Sequence, residues 1–344
     1  MTGQSDLRAA VIGVGHLGRS HARVYSEMAG VALCHLIDAD PARAAEAAET
    51  WGGEGGSDHR DILGKVDIVS IVTPTAAHHE IARDFLDAGV SVLVEKPMTA
   101  TVAQADDLIR LAKERGAKLQ VGHIERFNPA YLAISNYLRN PAFIECHRLS
   151  PYSFRSTDVS VVLDLMIHDL DLILDMAGAP AASVEAAGVA ILSPNTDIAN
   201  VRLRFNTPEG RPGCVANVTA SRISPKPMRR LRVFQPDAYI SMDFLEKKAY
   251  VFRKKDGFDA AKTTPEQLAA PTDVPKEPAL GRLLDVRTID LGPTDALEQE
   301  LAAFVESVRN DTEPAVTGEH GRRALALAVA IDEDIRQFLQ DRNA

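Results

Sequence analysis

Ala9-Ala10-Val11-Ile12-Gly13-Val14-Gly15-His16-Leu17-Gly18 is the stretch on which the reading of the fold turns. Four apolar residues run into G-x-G-x-x-G, and a helical pattern follows. Each glycine has its own physical task. Gly13 permits a tight turn after the strand, Gly15 lets main-chain amides approach a pyrophosphate, and Gly18 allows helix and strand to pack closely. The helix opening at His16 and Leu17 offers unpaired N–H groups and the positive end of its dipole to phosphates. Twenty residues beyond Gly18 the next apolar run reaches Asp38, placed to accept hydrogen bonds from the ribose hydroxyls of an adenosine. The same charge repels a 2′-phosphate, so NAD is expected ahead of NADP. A structural glycine turn and an ordinary turn acid, given Asp40 and Pro41 nearby, are the plain alternatives for these two features.

Outward from this stretch, residues 7–12, 31–37, 66–72, 90–94 and 119–121 are short apolar runs, and 41–50, 76–88 and 101–115 are amphipathic between them. Strand–helix alternation of this kind predicts an α/β fold, a doubly wound parallel sheet with helices on both faces. Asp40-Pro41 is a helix start, and Gly89 and Gly116 fall where helices should stop. After about residue 125 the texture changes. Residues 187–192, 201–205, 215–221, 231–235, 239–244 and 249–253 read as strands separated by turns, and 201–205 alternates with period two. This predicts a second domain with a large, mostly antiparallel sheet. We set the boundaries at 1–124 and 125–344. Residues 254–281 read as a loop or long excursion. Two terminal helices follow, one with Leu297, Leu301, Phe304, Val305 and Val308 on one face, the other with Leu325, Ala328, Ile331, Ile335, Phe338 and Leu339.

Composition narrows the classes. The chain has 344 residues and a formal charge of −10, with 45% hydrophobic and 25% charged residues. Those are globular proportions, and they exclude a disordered or fibrous chain. Net acidity disfavours a nucleic-acid partner, and no apolar run reaches membrane-spanning length. Residues 1–8 lack the pattern of a secretion signal. Cys34, Cys146 and Cys214 are far apart and form no C-x-x-C pair, which predicts reduced thiols, no zinc site and a cytoplasmic protein.

Two further signals carry chemistry. Val94-Glu95-Lys96-Pro97 closes the fourth of these strands, and ligands bind at the carboxyl ends of strands in open α/β sheets. Lys96 there would face a nicotinamide, whereas in isolation it reads as a surface lysine before a proline stop. In Asp164-Leu-Met-Ile-His168 the acid and the imidazole are four apart, on one face of a helix. Such a pair suits proton transfer near neutral pH. A simple helical ion pair or a metal site are the alternatives, and no third ligand at helical spacing supports a metal.

The chain resembles the Gfo/Idh/MocA family of NAD(P)-dependent oxidoreductases. The resemblance rests on G-V-G-H-L-G at 13–18, T-P-T-A-A-H at 73–78, E-K-P at 95–97, V-G-H-I-E-R-F-N-P at 121–129 and D-L-M-I-H at 164–168, in the family's order along the whole chain. It implies a Rossmann domain, a C-terminal α/β domain and hydride transfer at a sugar or cyclitol carbon. It further implies that Lys96 hydrogen-bonds the reacting hydroxyl, that His168 is the general acid/base and that Asp164 is its partner. Thr73, Pro74 and His78 would form the loop beside the cofactor, with Glu95 preceding the lysine, and His123 and Asn128 would enter the active-site segment. Within the family the motifs look most like the branch that oxidises the C3 hydroxyl of UDP-N-acetylglucosamine, a route that feeds amide-linked lipid A. The basic run Arg222, Lys226, Arg229, Arg230 and Arg232 would suit a sugar-nucleotide diphosphate, with Arg222 as a substrate contact, or else forms a solvated turn or a subunit contact. A free-sugar, inositol or polyol dehydrogenase is the alternative enzyme, and a non-catalytic NAD-sensing regulator the alternative of another class. The polar sheet face predicts a homodimer or homotetramer.

Overall fold

The computed structural model describes residues 5–153, 159–207, 210, 212–255, 284–291 and 294–343. In chain order the first elements are β1 (Leu7–Ile12), α1 (His16–Glu27), β2 (Val31–Ile37), α2 (Pro41–Trp51), β3 (Glu54–Gly56), β4 (Ile68–Ile71), α3 (Thr75–Asp87), β5 (Ser91–Glu95), α4 (Val102–Arg115) and β6 (Leu119–Gly122). Then come α5 (Pro129–Ile134), β7 (Phe143–Leu149), α6 (Ile167–Ala177), β8 (Ala181–Val189), β9 (Ile198–Asn206), β10 (Pro212–Ser221), β11 (Met228–Gln235), β12 (Ala238–Asp243), β13 (Lys248–Lys254) and β14 (Leu284–Asp290). The chain closes with α7 (Ala296–Arg309) and α8 (Gly318–Asn343).

β1 to β6 form one sheet in the order β3-β2-β1-β4-β5-β6, parallel throughout. The order reverses between β2 and β4 on either side of β1, and that switch point is where an open α/β sheet holds its ligand. Its strands are buried runs such as Ala9–Ile12, as expected where helices cover both faces. The connecting helices carry local signals. Asp40 accepts the Ala42 N–H at 3.0 Å with Pro41 in the first turn. Thr101 and Gln104 form a reciprocal capping box, and Gly116 ends α4 in the left-handed conformation at φ 66.

Two compact units make up the molecule: one takes the chain through Phe127 together with Thr294–Val329, the other Asn128–Pro293 together with Ala330 onward. The apolar stripe expected at Leu297, Leu301, Phe304 and Val305 packs against Ala9, Val11 and Leu93 of the sheet and Val24 and Tyr25 of α1. α7 therefore completes the first unit's core although it follows β14 in the chain. Phe338, expected on the apolar face of α8, is exposed. Full burial of such side chains stabilises by about 1.5–3 kcal/mol each.

The second unit is built on an eight-stranded sheet in the order β14-β13-β12-β11-β7-β10-β9-β8. Neighbours are antiparallel except β7 and β10. Along β9, Val201, Leu203 and Phe205 are buried while Arg202 and Arg204 lie on the other face. α6 covers the buried face and is itself mostly buried. The excursion expected at 254–281 falls almost entirely outside the described residues. Among the described residues no helix is long and apolar enough to cross a membrane.

Candidate active site

At the carboxyl ends of β1, β2 and β4 the first unit holds a cleft of about 660 Å³, lined by Gly13, Gly15, Asp38, Arg43, Thr73 and Pro74 among others. Gly13 sits at φ +89, and a Cβ there would lie 2.7 Å from the Val72 carbonyl oxygen. A Cβ on Gly18 would overlap the Gly13 carbonyl, so the turn and the helix approach only as glycines. At Gly15 a Cβ would meet nothing within 4 Å, which leaves open space on the cleft side of the turn. α1 begins there without a side-chain cap and without an acid in its first turn, and His16 and Leu17 are exposed. Its leading N–H groups are thus available to phosphate oxygens.

Asp38 is 9% exposed. Its Oδ2 accepts the Val14 N–H at 2.9 Å and its Oδ1 the Asp40 N–H at 3.0 Å. The carboxylate therefore braces the glycine turn and retains lone pairs for ribose hydroxyls. Arg43, which the sequence reading missed, lies 3.7 Å from Asp38 and pairs with Asp40 at 3.1 Å. The signal was present, an arginine in the first turn of α2, but it is masked by the stronger Asp-Pro helix start. The Thr73 hydroxyl is buried without a hydrogen-bond partner among the described residues. An uncapped helix start, an open glycine edge, an acid lining the cleft and an orphaned hydroxyl together fit a dinucleotide.

His78 has a different place from the one expected. It is buried beneath the loops, with Nε2 2.8 Å from the Thr73 carbonyl and Nδ1 3.0 Å from that of Pro97. Burial pushes its pKa down against the pull of these carbonyls, and a neutral ring donates to only one of them. His78 ties the loop after β4 to the turn after β5. In that turn the Lys96–Pro97 peptide is cis, and Lys96 is half-buried. Glu95 is directed inward, and its Oε2 accepts the Lys96 main-chain N–H at 3.2 Å. His123 is buried at the end of β6, where its carbonyl accepts the Arg126 N–H and opens a short 3₁₀ turn, Ile124–Phe127.

In the second unit Asn128 caps α5: its Oδ1 accepts the Ala130 N–H at 3.0 Å with Pro129 in the first turn. This capping role accounts for the N-P pair in the motif. Asp164 lies in a π-helical turn, Val162–Met166, that leads directly into α6, and His168 lies in the first turn of α6. Both are half-buried among buried Val161, Val162, Met166 and Ile167. Single π turns inside helices are frequent at functional sites. α6 is fastened to β7 next to His168 by a two-pronged pair: Arg148 Nε donates to Asp169 at 2.8 Å and Nη2 at 2.7 Å.

The basic run does not form one phosphate cradle. Arg222 is 4% exposed and donates to the carbonyls of Val159 and Thr196, with Asp197 at 3.6 Å. Arg230 pairs with Asp243 and Arg232 with Glu145 on the outer sheet face. Arg222 is a structural arginine: a β-strand ending at Ser221 turns it inward, a direction that a count of charges does not reveal.

Fold and cleft define the class, an NAD-binding Rossmann oxidoreductase with an attached α/β domain. Residues 7–123 match the NAD-binding Rossmann fold of the Gfo/Idh/MocA oxidoreductase family, and residues 152–337 match that family's C-terminal alpha/beta domain. The chain belongs to this family. It is 37% identical over 342 residues, 97% of this chain and 99% of the relative, to UDP-N-acetylglucosamine 3-dehydrogenase of Acidithiobacillus ferrooxidans. The solved structure of that enzyme superposes with a TM-score of 0.84, covering 98% of this chain and 100% of the other at 35% identity. Inositol 2-dehydrogenase of Rhizobium meliloti is 23% identical across 97% of this chain and 98% of its own. Levoglucosan dehydrogenase in complex with NADH and levoglucosan shares the fold, with a TM-score of 0.81 at 18% identity over 97% of this chain and 98% of that one.

Proposed function

We propose that this chain oxidises the C3 hydroxyl of UDP-N-acetylglucosamine to a 3-keto sugar nucleotide with NAD. The observation that carries this reading is the 37% identity, extending over 97% of the chain, to a protein of that activity. NAD, when bound, supplies the hydride acceptor. The rest is the work of side chains. Lys96 donates a hydrogen bond to the reacting oxygen and stabilises its developing alkoxide character. His168, as the neutral imidazole, takes the hydroxyl proton as the C–H bond gives up its hydride. Asp164 orients the imidazole and favours the imidazolium that results. His123 and Asn128 lie in the segment that follows β6 and are assigned to the substrate side, Asn128 through the start of α5 that it caps.

The test is NAD reduction with UDP-N-acetylglucosamine beside a panel of inositols and free sugars. Lys96→Met and His168→Asn are each expected to lower kcat by about 10²–10⁴-fold, the range of a positioned acid or base. Turnover of a polyol and none of the nucleotide sugar would refute the substrate, and full activity of both variants would refute the roles. We further assign the reaction to the cytoplasm, in keeping with three widely spaced cysteines, Cys34, Cys146 and Cys214, that suggest no disulfide framework. Copies of the chain are expected to pair through the outer sheet face, where Phe143, Phe234, Tyr239 and Phe252 stack in a row with ring centroids 4.9–5.5 Å apart. A monomer in sedimentation at micromolar concentration would refute that pairing.

A further inference from the structure

The face of the parallel sheet that α1 and α7 cover is apolar at its centre and polar toward one edge. Ser70, Leu93 and Gln120 share one row across β4, β5 and β6, and Glu95 and Gly122 form the next. Tyr25 of α1 reaches Ser70, with hydroxyl oxygens 2.9 Å apart. Gln120 donates from Nε2 to the Glu300 main-chain carbonyl of α7 at 3.1 Å. His21 of α1, one turn before Tyr25, lies with Nε2 3.3 Å from Glu95 Oε1. A Cβ at position 122 would sit 2.8 Å from the Glu95 carboxyl group, so a glycine at that position leaves room for it.

The groups gathered here are poorly paired. His21 and Glu300 are both 0% exposed. Among the described residues neither carboxyl oxygen of Glu300, neither ring nitrogen of His21 nor Gln120 Oε1 has an aligned hydrogen-bond partner, the His21–Glu95 contact being an ion-pair distance only. Buried polar atoms left in this state weaken a fold, and an apolar residue at 300 would serve the core of α7 better. Stability therefore gives no reason for an acid at this position. The titratable groups facing Glu300 are Glu95 from β5 and Tyr25 from α1. Burial, reinforced by the Glu95 charge, holds the Glu300 carboxyl well above the usual range, so it retains its proton.

We infer that Glu300 and His21 are positioning residues for Lys96: they close the buried side of Glu95 and hold its carboxylate where it accepts the Lys96 main-chain N–H. The chain of contacts runs from His21 of α1 through Glu95 to the peptide that carries the proposed oxygen-binding ammonium, and Glu300 of α7 is buried over the same sheet face, its main-chain carbonyl held by Gln120. This inference rests on the role given to Lys96 above.

The experiment uses the full chain with Glu300→Leu and Glu300→Gln. Hydrogen exchange at the Lys96 amide is followed without cofactor or substrate, next to thermal unfolding and steady-state kinetics with UDP-N-acetylglucosamine. Glu300→Leu is expected to unfold at the same temperature as the parent or higher, while the Lys96 amide exchanges at least tenfold faster. Its kcat falls at least fivefold with KM within twofold. Glu300→Gln, neutral and of the same shape, brings both readouts back to within threefold. Should the leucine variant fail to fold, His21→Gln is read by the same two measures, with the same losses expected. Lys96 exchange and kcat within twofold of the parent in Glu300→Leu, or losses that merely track a falling unfolding temperature across β5, would overturn the inference. If the parent enzyme does not oxidise the nucleotide sugar, the proposed substrate is wrong, and the exchange measurement still decides the role of Glu300.

Discussion

Cutting the Arg148–Asp169 pair tests how the second unit holds the helix that carries His168. The two side chains are 4% and 1% exposed, and two charge-assisted bonds of 2.7 and 2.8 Å join them. Truncating one partner removes both charge-assisted bonds from the buried charge that remains, at a cost of about 3–5 kcal/mol. Against a total of about 5–15 kcal/mol for a typical domain, that is a large fraction. Removing both charges is a different perturbation, since no ion is then left stranded. Asp169→Ala and Arg148→Met are each expected to lose about 3–5 kcal/mol, and Arg148→Met with Asp169→Leu to return within about 1 kcal/mol of the parent. Urea unfolding followed by far-UV circular dichroism, with slopes compared between variants, reads these values. A double-variant loss equal to the sum of the single losses would refute the coupling, as would a single loss below about 1 kcal/mol. The singles are also expected to lower kcat at temperatures where they remain folded, because Asp169 immediately follows the proposed base.

Asp38→Ser removes the acceptor of the Val14 N–H and the charge that opposes a 2′-phosphate, while Arg43 remains beside the cleft. The loss of a charged hydrogen bond, about 1.5–3 kcal/mol, is expected to cut kcat/KM for NAD by roughly 10–100-fold, and the NADP-to-NAD preference should rise at least tenfold. An unchanged preference in steady-state assays would remove Asp38 from the ribose site. Asp197 governs acid stability. Burial would raise its pKa, but the Ser193 hydroxyl and the N–H groups of Ile191, Leu192 and Ser193 outweigh burial and hold it at about 2. A depressed carboxyl pKa contributes stability above its unfolded value near 3.8, and that contribution is lost as pH falls toward 2. Asp197→Asn should therefore cost about 2 kcal/mol at pH 7 and much less at pH 2–3, and a pH-independent difference in urea unfolding would contradict this.

What was legible in the chain was local. The apolar run before Gly13, the Asp40-Pro41 start and the capping residues at Thr101 and Gly116 depend on neighbours within a few residues, and the parallel sheet follows from their alternation. β7 was not legible, because its inward row is Ile144, Cys146 and Arg148. A buried arginine breaks the apolar alternation, and its partner Asp169 lies on another element. β3 spans three residues with two glycines and carries no apolar signal. Within the site, Gly13, Gly15 and Asp38 could be read from the strand–turn–helix pattern and Thr73 from the family resemblance, and all four line the cleft. The directions of His78, Glu95 and Arg222 could not, since each turns inward to partners or carbonyls set by tertiary packing. Glu300 lay beyond reach for the same reason: an acid next to the apolar stripe of a helix reads as solvent-facing until Gln120 and Glu95 are brought beside it.

The passage of the chain out of the first unit at Phe127 and back at Thr294 bears on synthesis. The sheet face formed by Ala9, Val11 and Leu93 waits for Leu301 and Phe304, so it stays open while every strand of the second unit is being translated. A nascent chain ending anywhere before α7 exposes that oily surface, and the nucleotide-binding half of this protein reaches its finished state only after the strands of the other half have left the ribosome.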